Sequence, residues 1–203
     1  MQPKNKILAI VGPTAVGKTG LTIELAQRLD GEIIGLDSRQ IYTGMAIGTA
    51  QPTLLEQASV PHHLIAFRSP GQKITAGEYA ELVSAVVEDL NQQGRTPILC
   101  GGAGLYYRAI NHGIFSGSDS DECVRERLNL EYSENPVLLY TRLKKIDPVY
   151  AEKVHINNQK RLIRALEIFE ITGVVPSVHF KKQPEQKYQF NLFTVLVTRP
   201  MAD

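Results

Sequence analysis

Two patterns of apolar residues alternate along the first half of this chain. Short unbroken runs at 6–11, 32–36, 63–67 and 97–100 read as strands. Between them, apolar positions spaced three and four apart predict helices over 18–29, 76–92 and 104–111. This alternation points to an α/β fold, a parallel sheet wrapped by helices. In such sheets the chemistry gathers where the strands end. Three segments fall at those ends: residues 12–19, Asp37-Ser38-Arg39-Gln40, and Gly101-Gly102-Ala103-Gly104.

The pattern changes at the polar stretch Ser116-Gly117-Ser118-Asp119-Ser120, which reads as a loop between lobes. More basic helical patterns follow at about 121–131, 136–145, 148–154 and 158–172, the last stopped by Thr172-Gly173. An apolar run at 192–197 then predicts a strand returning to the sheet. The expected organisation is an α/β core over 1–115, a helical insertion over 116–185 and a return strand within 186–203.

Composition narrows the classes. At 203 residues the chain supports one sizeable core with a small appended lobe. A net charge of +1 gives no overall field drawing it onto nucleic acid, so any RNA contact must come from a local patch. Cys100 and Cys123 have no metal or redox spacing and suit a reducing interior. Two N-terminal lysines precede an apolar run too short for a signal peptide and without a cleavage site, so it is read as the first strand. With no stretch long enough to span a membrane, a cytoplasmic protein is expected.

The first strand leads into Gly12-Pro13-Thr14-Ala15-Val16-Gly17-Lys18-Thr19, a complete P-loop that opens a helix. In that context backbone N–H groups and the helix N-terminus converge on an anion. Lys18 adds a point charge for the outer phosphate, and the Thr19 hydroxyl is a ligand for Mg²⁺. The loop alone fits kinases, GTPases and ATPases. Most of these also place a metal-binding acid at a second strand end. Here the fourth strand ends in Cys100-Gly101-Gly102, and Asp37 is the acid at a core strand end. Asp37 suits a general base for an acceptor group, or equally a cap for the turn around Ser38.

Further along, Lys160, Arg161 and Arg164 gather cations on one helix, where Glu167 and Glu170 also allow a balanced, solvated face. His62 and His63 point to opposite sides of a strand and read as structural rather than as metal ligands. Tyr106-Tyr107 reads first as core packing.

Taken together, the P-loop, Asp37-Ser38-Arg39-Gln40-Ile41-Tyr42, Gly48-Thr49-Ala50, Val60-Pro61-His62-His63-Leu64-Ile65, Gly101-Gly102-Ala103-Gly104-Leu105-Tyr106 and Arg161-Leu162-Ile163-Arg164-Ala165-Leu166-Glu167 resemble the tRNA dimethylallyltransferases. The resemblance runs in order from the first strand to the end of the chain. It implies a P-loop NTPase-like core with a helical tRNA-binding insertion. The implied reaction moves a dimethylallyl group from its diphosphate to N6 of the adenosine 3′ to the anticodon. On that reading the loop seats a leaving diphosphate with Mg²⁺, Lys18 assists, and Asp37 takes the N6 proton. The resemblance also implies that Ser38, Arg39, Gln40 and Ala103 meet the substrate tRNA, and that Lys160, Arg161 and Arg164 contact the anticodon stem-loop. A monomer is expected. The alternatives are a small-molecule P-loop kinase, or a shortened family member of low or no activity.

Departures from the family pattern bear on that last alternative. Ala103 stands where threonine is usual, removing a hydroxyl near the diphosphate. Losing a hydrogen bond to a charged group costs about 1.5–3 kcal/mol, roughly ten- to a hundredfold in rate. Family members also continue beyond the equivalent of Asp203 with a second diphosphate-clamping arginine; Arg199 is not assigned that role. Ala66 replaces a usual aspartate and Ile156 a usual proline.

Overall fold

The computed structural model describes residues 6–113, 120–181 and 190–199. The chain divides into two compact units, Met1–Ile114 with Glu185–Asp203, and Phe115–Pro184.

The first unit is built on a parallel five-stranded sheet in the order β3-β2-β4-β1-β5. Its strands are β1 (Lys6–Val11), β2 (Gly31–Leu36), β3 (His62–His63), β4 (Thr96–Gly101) and β5 (Asn191–Leu196). Around them lie α1 (Lys18–Arg28), α2 (Ala46–Thr49), α3 (Leu54–Ser59), α4 (Ala76–Gln92) and α5 (Gly104–His112). The unbroken apolar runs follow from burial on both faces. Ile34, Leu99, Ile7 and Ala9 pack against Tyr79, Val83 and Val87 of α4 and Ala109 and Ile110 of α5. Their neighbours Ile33, Ile98 and Ile10 pack with Ala26 of α1 and with Val60.

Helix α4 starts at a capping box. Thr75 Oγ1 accepts from the Glu78 N–H at 3.1 Å, and Glu78 Oε2 accepts from the Thr75 N–H at 2.7 Å.

The strand expected at 63–67 is shorter than the apolar pattern suggests. Leu64 and Ala66 take positive φ angles of 58° and 48°, which end the extended run after His63. The freed backbone bonds elsewhere: Ala66 N–H donates to Gln40 O, and Phe67 and Arg68 N–H both donate to Ile41 O. Helices α2 and α3 bury no residue, so no apolar periodicity marks them in the sequence.

The second unit is helical: α6 (Glu122–Glu134), α7 (Pro136–Ile146), α8 (Pro148–Ala151), α9 (Gln159–Thr172) and α10 (Pro176–Lys181). Four of these begin at an Asp or Asn whose side chain accepts from a first-turn N–H: Asp121, Asn135, Asp147 and Asn158. Their apolar stripes meet in a core that includes Leu128, Leu139, Leu143, Leu162 and Leu166. The helix expected at 148–154 stops at Ala151, and α10 is an addition to the expected set. Of the expected interlobe loop, 116–119 lies outside the described residues. Among the described residues no helix is long and apolar enough to cross a membrane.

Candidate functional site

Four strand ends of the first unit, those of β1 and β5 and of β4 and β2, are drawn together in pairs by backbone that tolerates no side chain. At Gly12 a Cβ would lie 2.2 Å from the Val197 carbonyl oxygen, and at Gly101 it would lie 2.1 Å from that of Leu36. The Leu36 carbonyl also accepts from Gly102 N–H and Ala103 N–H, each at 3.0 Å. The ends of β2 and β4 are thereby locked side by side, with β1 as the neighbour of β4.

Between β1 and α1 the loop turns through positive φ at Ala15 (67°) and Gly17 (92°). Gly17 is the N-cap of α1 and offers no side-chain acceptor, so the first-turn N–H groups are left for an anion. Lys18 Nζ curls back to donate to the Pro13 carbonyl at 2.5 Å, which uses one of its three protons.

After β2, Asp37 folds the next turn around itself. Its Oδ1 accepts from Arg39 N–H at 2.7 Å and Gln40 N–H at 3.3 Å, leaving Oδ2 for other work. The Gln40 amide donates to the carbonyls of Ala50 (2.7 Å) and Thr49 (3.2 Å). Gln51 answers by donating to the carbonyls of Gln40 (2.8 Å) and Tyr42 (2.7 Å). Two glutamines thus fix the short helix α2 beside Asp37.

These segments line one cleft of about 610 Å³. Its walls take in every residue of 12–19 except Val16, together with Asp37, Ser38, Arg39, Gln40 and Ala103. The P-loop, the acidic turn and the glycine turn therefore come together, as the sequence motifs implied. Thr49, Ala50, Cys100, Gly101 and Gly102 complete the lining. Burial pushes the Cys100 thiol above its usual range, opposed by a hydrogen bond from Thr22 and by nearby Lys18, so it stays a neutral wall. An adjoining hollow of about 270 Å³ is mostly apolar, with Val11, Pro13, Leu36, Ala103 and Tyr107 among its walls.

The aromatic pair divides its duties. Tyr106 is buried and stacks on Tyr79 with centroids 4.1 Å apart, while the Tyr79 hydroxyl donates to Gly35 O. Tyr107 is half-buried, and its hydroxyl meets Thr194 Oγ1 at 2.8 Å. The two histidines do point apart: His63 Nε2 pairs with Glu32 at 2.7 Å, and His62 Nδ1 with Val60 O at 2.8 Å. Burial holds the His62 pKa below the ordinary imidazole value. Among the described residues no cluster of three or more His, Cys, Asp or Glu is placed to hold a metal.

In the second unit, Lys160 and Arg161 are exposed in the first turn of α9, where no acid offsets them. Cations there oppose the helix dipole, a local cost of roughly 0.3–1 kcal/mol each. Arg164 is differently employed. Its Nη1 donates to Glu167 Oε2 at 2.8 Å, while Arg125 Nη2 spans both Glu167 oxygens at 3.0 Å. Glu167 is fully buried, so its charge is held by the two guanidinium groups. Glu170 likewise receives Arg127 and Arg142.

A family model described as IPP transferase matches residues 40–202. The chain is 46% identical over 175 residues to the tRNA dimethylallyltransferase of Desulfosudis oleivorans, covering 86% of this chain and 56% of that one. With the protein of the same name from Hydrogenovibrio crunogenus it shares 43% over 180 residues, covering 89% and 55%. Among solved structures, a eukaryotic dimethylallyltransferase acting on tRNA matches with a TM-score of 0.75 at 30% identity, over 95% of this chain and 48% of that chain. The full-length tRNA isopentenylpyrophosphate transferase of Bacillus halodurans matches with a TM-score of 0.56 at 43% identity, over 85% and 57%. The chain thus spans little more than half the length of these curated relatives.

Proposed function

This chain belongs to the IPP transferase family, and from that premise we propose that it transfers a dimethylallyl group from dimethylallyl diphosphate to N6 of the adenosine 3′ to a tRNA anticodon. The observation that carries the reading is the single cleft that joins an anion-binding loop to the carboxylate of Asp37. A P-loop paired with a base at that spot suits a reaction in which diphosphate departs as an amine attacks.

In this reading the allylic C–O bond breaks as the N6–C bond forms. Negative charge grows on the departing diphosphate, where the loop N–H groups and Lys18 stabilise it more in the transition state than before. The lysine exchanges its bond to Pro13 O for the phosphate oxygen. Asp37 Oδ2 accepts the N6 proton, while Oδ1 keeps the turn in place. Arg39 and Ser38, both exposed at the cleft, are positioned for the flipped-out adenosine, and Gln40 supports them through the backbone of α2.

The residues fit a magnesium ion that arrives with its substrate. Thr19 supplies one hydroxyl at the cleft, and the diphosphate oxygens supply the remaining charge, in keeping with the preference of Mg²⁺ for phosphates and water. When bound, magnesium neutralises charge on the leaving diphosphate. Contact with the anticodon stem-loop falls to Lys160 and Arg161, whose dipole-opposing position becomes favourable once a phosphate lies against the start of α9.

Calorimetry with dimethylallyl diphosphate and with ATP, each with magnesium, tests the reading. Binding of the prenyl diphosphate is expected; tight ATP binding without it would sink the proposal. For the chemistry, Asp37→Asn keeps an acceptor for the turn but no base. It is expected to lower prenylation of an anticodon stem-loop by about 10²–10⁴ while leaving diphosphate affinity within about twofold. A matching loss of affinity would reassign Asp37 to binding.

A further inference from the structure

A smaller cavity of about 20 Å³ shares Thr19, Gln40 and Cys100 with the cleft but has its own wall, which includes Ile33, His62 and Ile65. That volume accommodates one water molecule. The tautomer of His62 follows from its neighbour. The Val60 carbonyl can only accept, so Nδ1 carries the proton and Nε2 presents a lone pair. Nε2 is buried, and among the described residues it meets no donor, which is costly for an acceptor.

Across the same cavity Thr19 has the opposite need. A threonine hydroxyl that turns a lone pair to a metal must give its proton to some acceptor. Among the described residues the Thr19 hydroxyl makes no hydrogen bond. The Gln40 amide nitrogen is spent on Thr49 and Ala50, which leaves Oε1 as the acceptor of a residue that also lines the cavity.

We propose that this cavity is a water site linking Thr19 to His62: the hydroxyl donates to the water, and the water donates to His62 Nε2 and to Gln40 Oε1. His62 is then a positioning residue. It fixes the Thr19 proton away from the cleft and so presents a lone pair to a magnesium ion on the diphosphate. This rests on the reading of Thr19 as the metal ligand. It gives the half-buried histidine a part in metal binding without making it a ligand.

The test uses inorganic pyrophosphate as the probe, with wild type, His62→Leu and His62→Gln. Leucine fills the space without an acceptor; glutamine returns an acceptor at similar reach. Pyrophosphate affinity is measured by calorimetry without magnesium and across a magnesium titration. The loss of one oriented hydrogen bond predicts that His62→Leu raises the half-effective magnesium concentration about tenfold. Metal-free affinity should stay within about twofold, and His62→Gln should recover most of the magnesium response. A packing role would instead depress metal-free affinity and magnesium response together, and that outcome overturns the proposal. So does an unchanged magnesium response in His62→Leu. If wild type itself shows no magnesium response, the assignment of Thr19 falls, and this inference with it. Should the variants not fold, ¹⁵N-histidine spectra of the unaltered protein decide. The His62 Nε2 signal should move when magnesium is added to the pyrophosphate complex, and a signal indifferent to magnesium overturns the linkage.

Discussion

Ala103 shows how much one missing hydroxyl can weigh. It is the N-cap of α5, yet it has no side chain to accept from the first turn, and it lines the cleft beside the P-loop. A threonine there would supply both a cap and a donor toward the anion. Ala103→Thr is therefore expected to raise thermal stability by about 0.5–2 kcal/mol and to tighten pyrophosphate binding about tenfold. Denaturant melts and calorimetry read the two effects separately; gain in one without the other would show that the hydroxyl serves a single partner. At Ile156 the departure from the family pattern is mild by comparison. The atom in use there is the Ile156 carbonyl, which accepts from the Tyr132 hydroxyl at 3.0 Å, and a proline would keep it.

Among the elements, α9 carries two unlike ends. Its first turn is exposed and cationic, while two turns later Glu167 is buried between Arg125 of α6 and Arg164. Both guanidinium groups are partly exposed and can turn to water if the carboxylate is lost. The cost of Glu167→Gln is thus expected near 2 kcal/mol, below that of a fully buried pair, with urea unfolding as the measure. A change under about 0.5 kcal/mol would mean the cluster is dispensable. In the sequence this face allows either phosphate contact or charge balance. The structure divides it, with Glu167 engaging Arg164 while Lys160 and Arg161 stay at the exposed end.

Other elements were legible to differing degrees. The buried runs of β1, β2 and β4 and the long stripe of α4 announce themselves because both are written in apolar spacing. Residues 64–66 do not, since apolar side chains there ride on a backbone turned to positive φ by hydrogen bonds to Gln40 and Ile41. The glycine and aspartate turns of the cleft were readable as motifs. The Gln51 brace and the His62 cavity were not, because each depends on partners distant in sequence.

At the scale of the whole molecule, the sheet of the first unit is unevenly covered. Ile7, Ile34 and Leu99 are buried, whereas on β5 Phe193 is 69% and Leu196 66% exposed. An apolar edge strand of this kind favours self-association. Phe193→Lys is expected to lower light scattering at high concentration while shifting stability by less than about 0.5 kcal/mol. Unchanged scattering would place the sticky surface elsewhere.

The parallel order of the sheet also has a consequence in time. β1 sits between β4 and β5, and Leu8 pairs with Ile98, a residue made long after it. At synthesis rates of about 5–20 residues per second, the first strand leaves the ribosome with neither neighbour for several seconds. Its Ile-Leu-Ala-Ile-Val run must stay out of trouble over that interval. The strand that aims the P-loop is thus made well before both of its neighbours and is among the last to be secured. A chain released before β4 emerges carries the complete anion-binding motif with no scaffold to hold it.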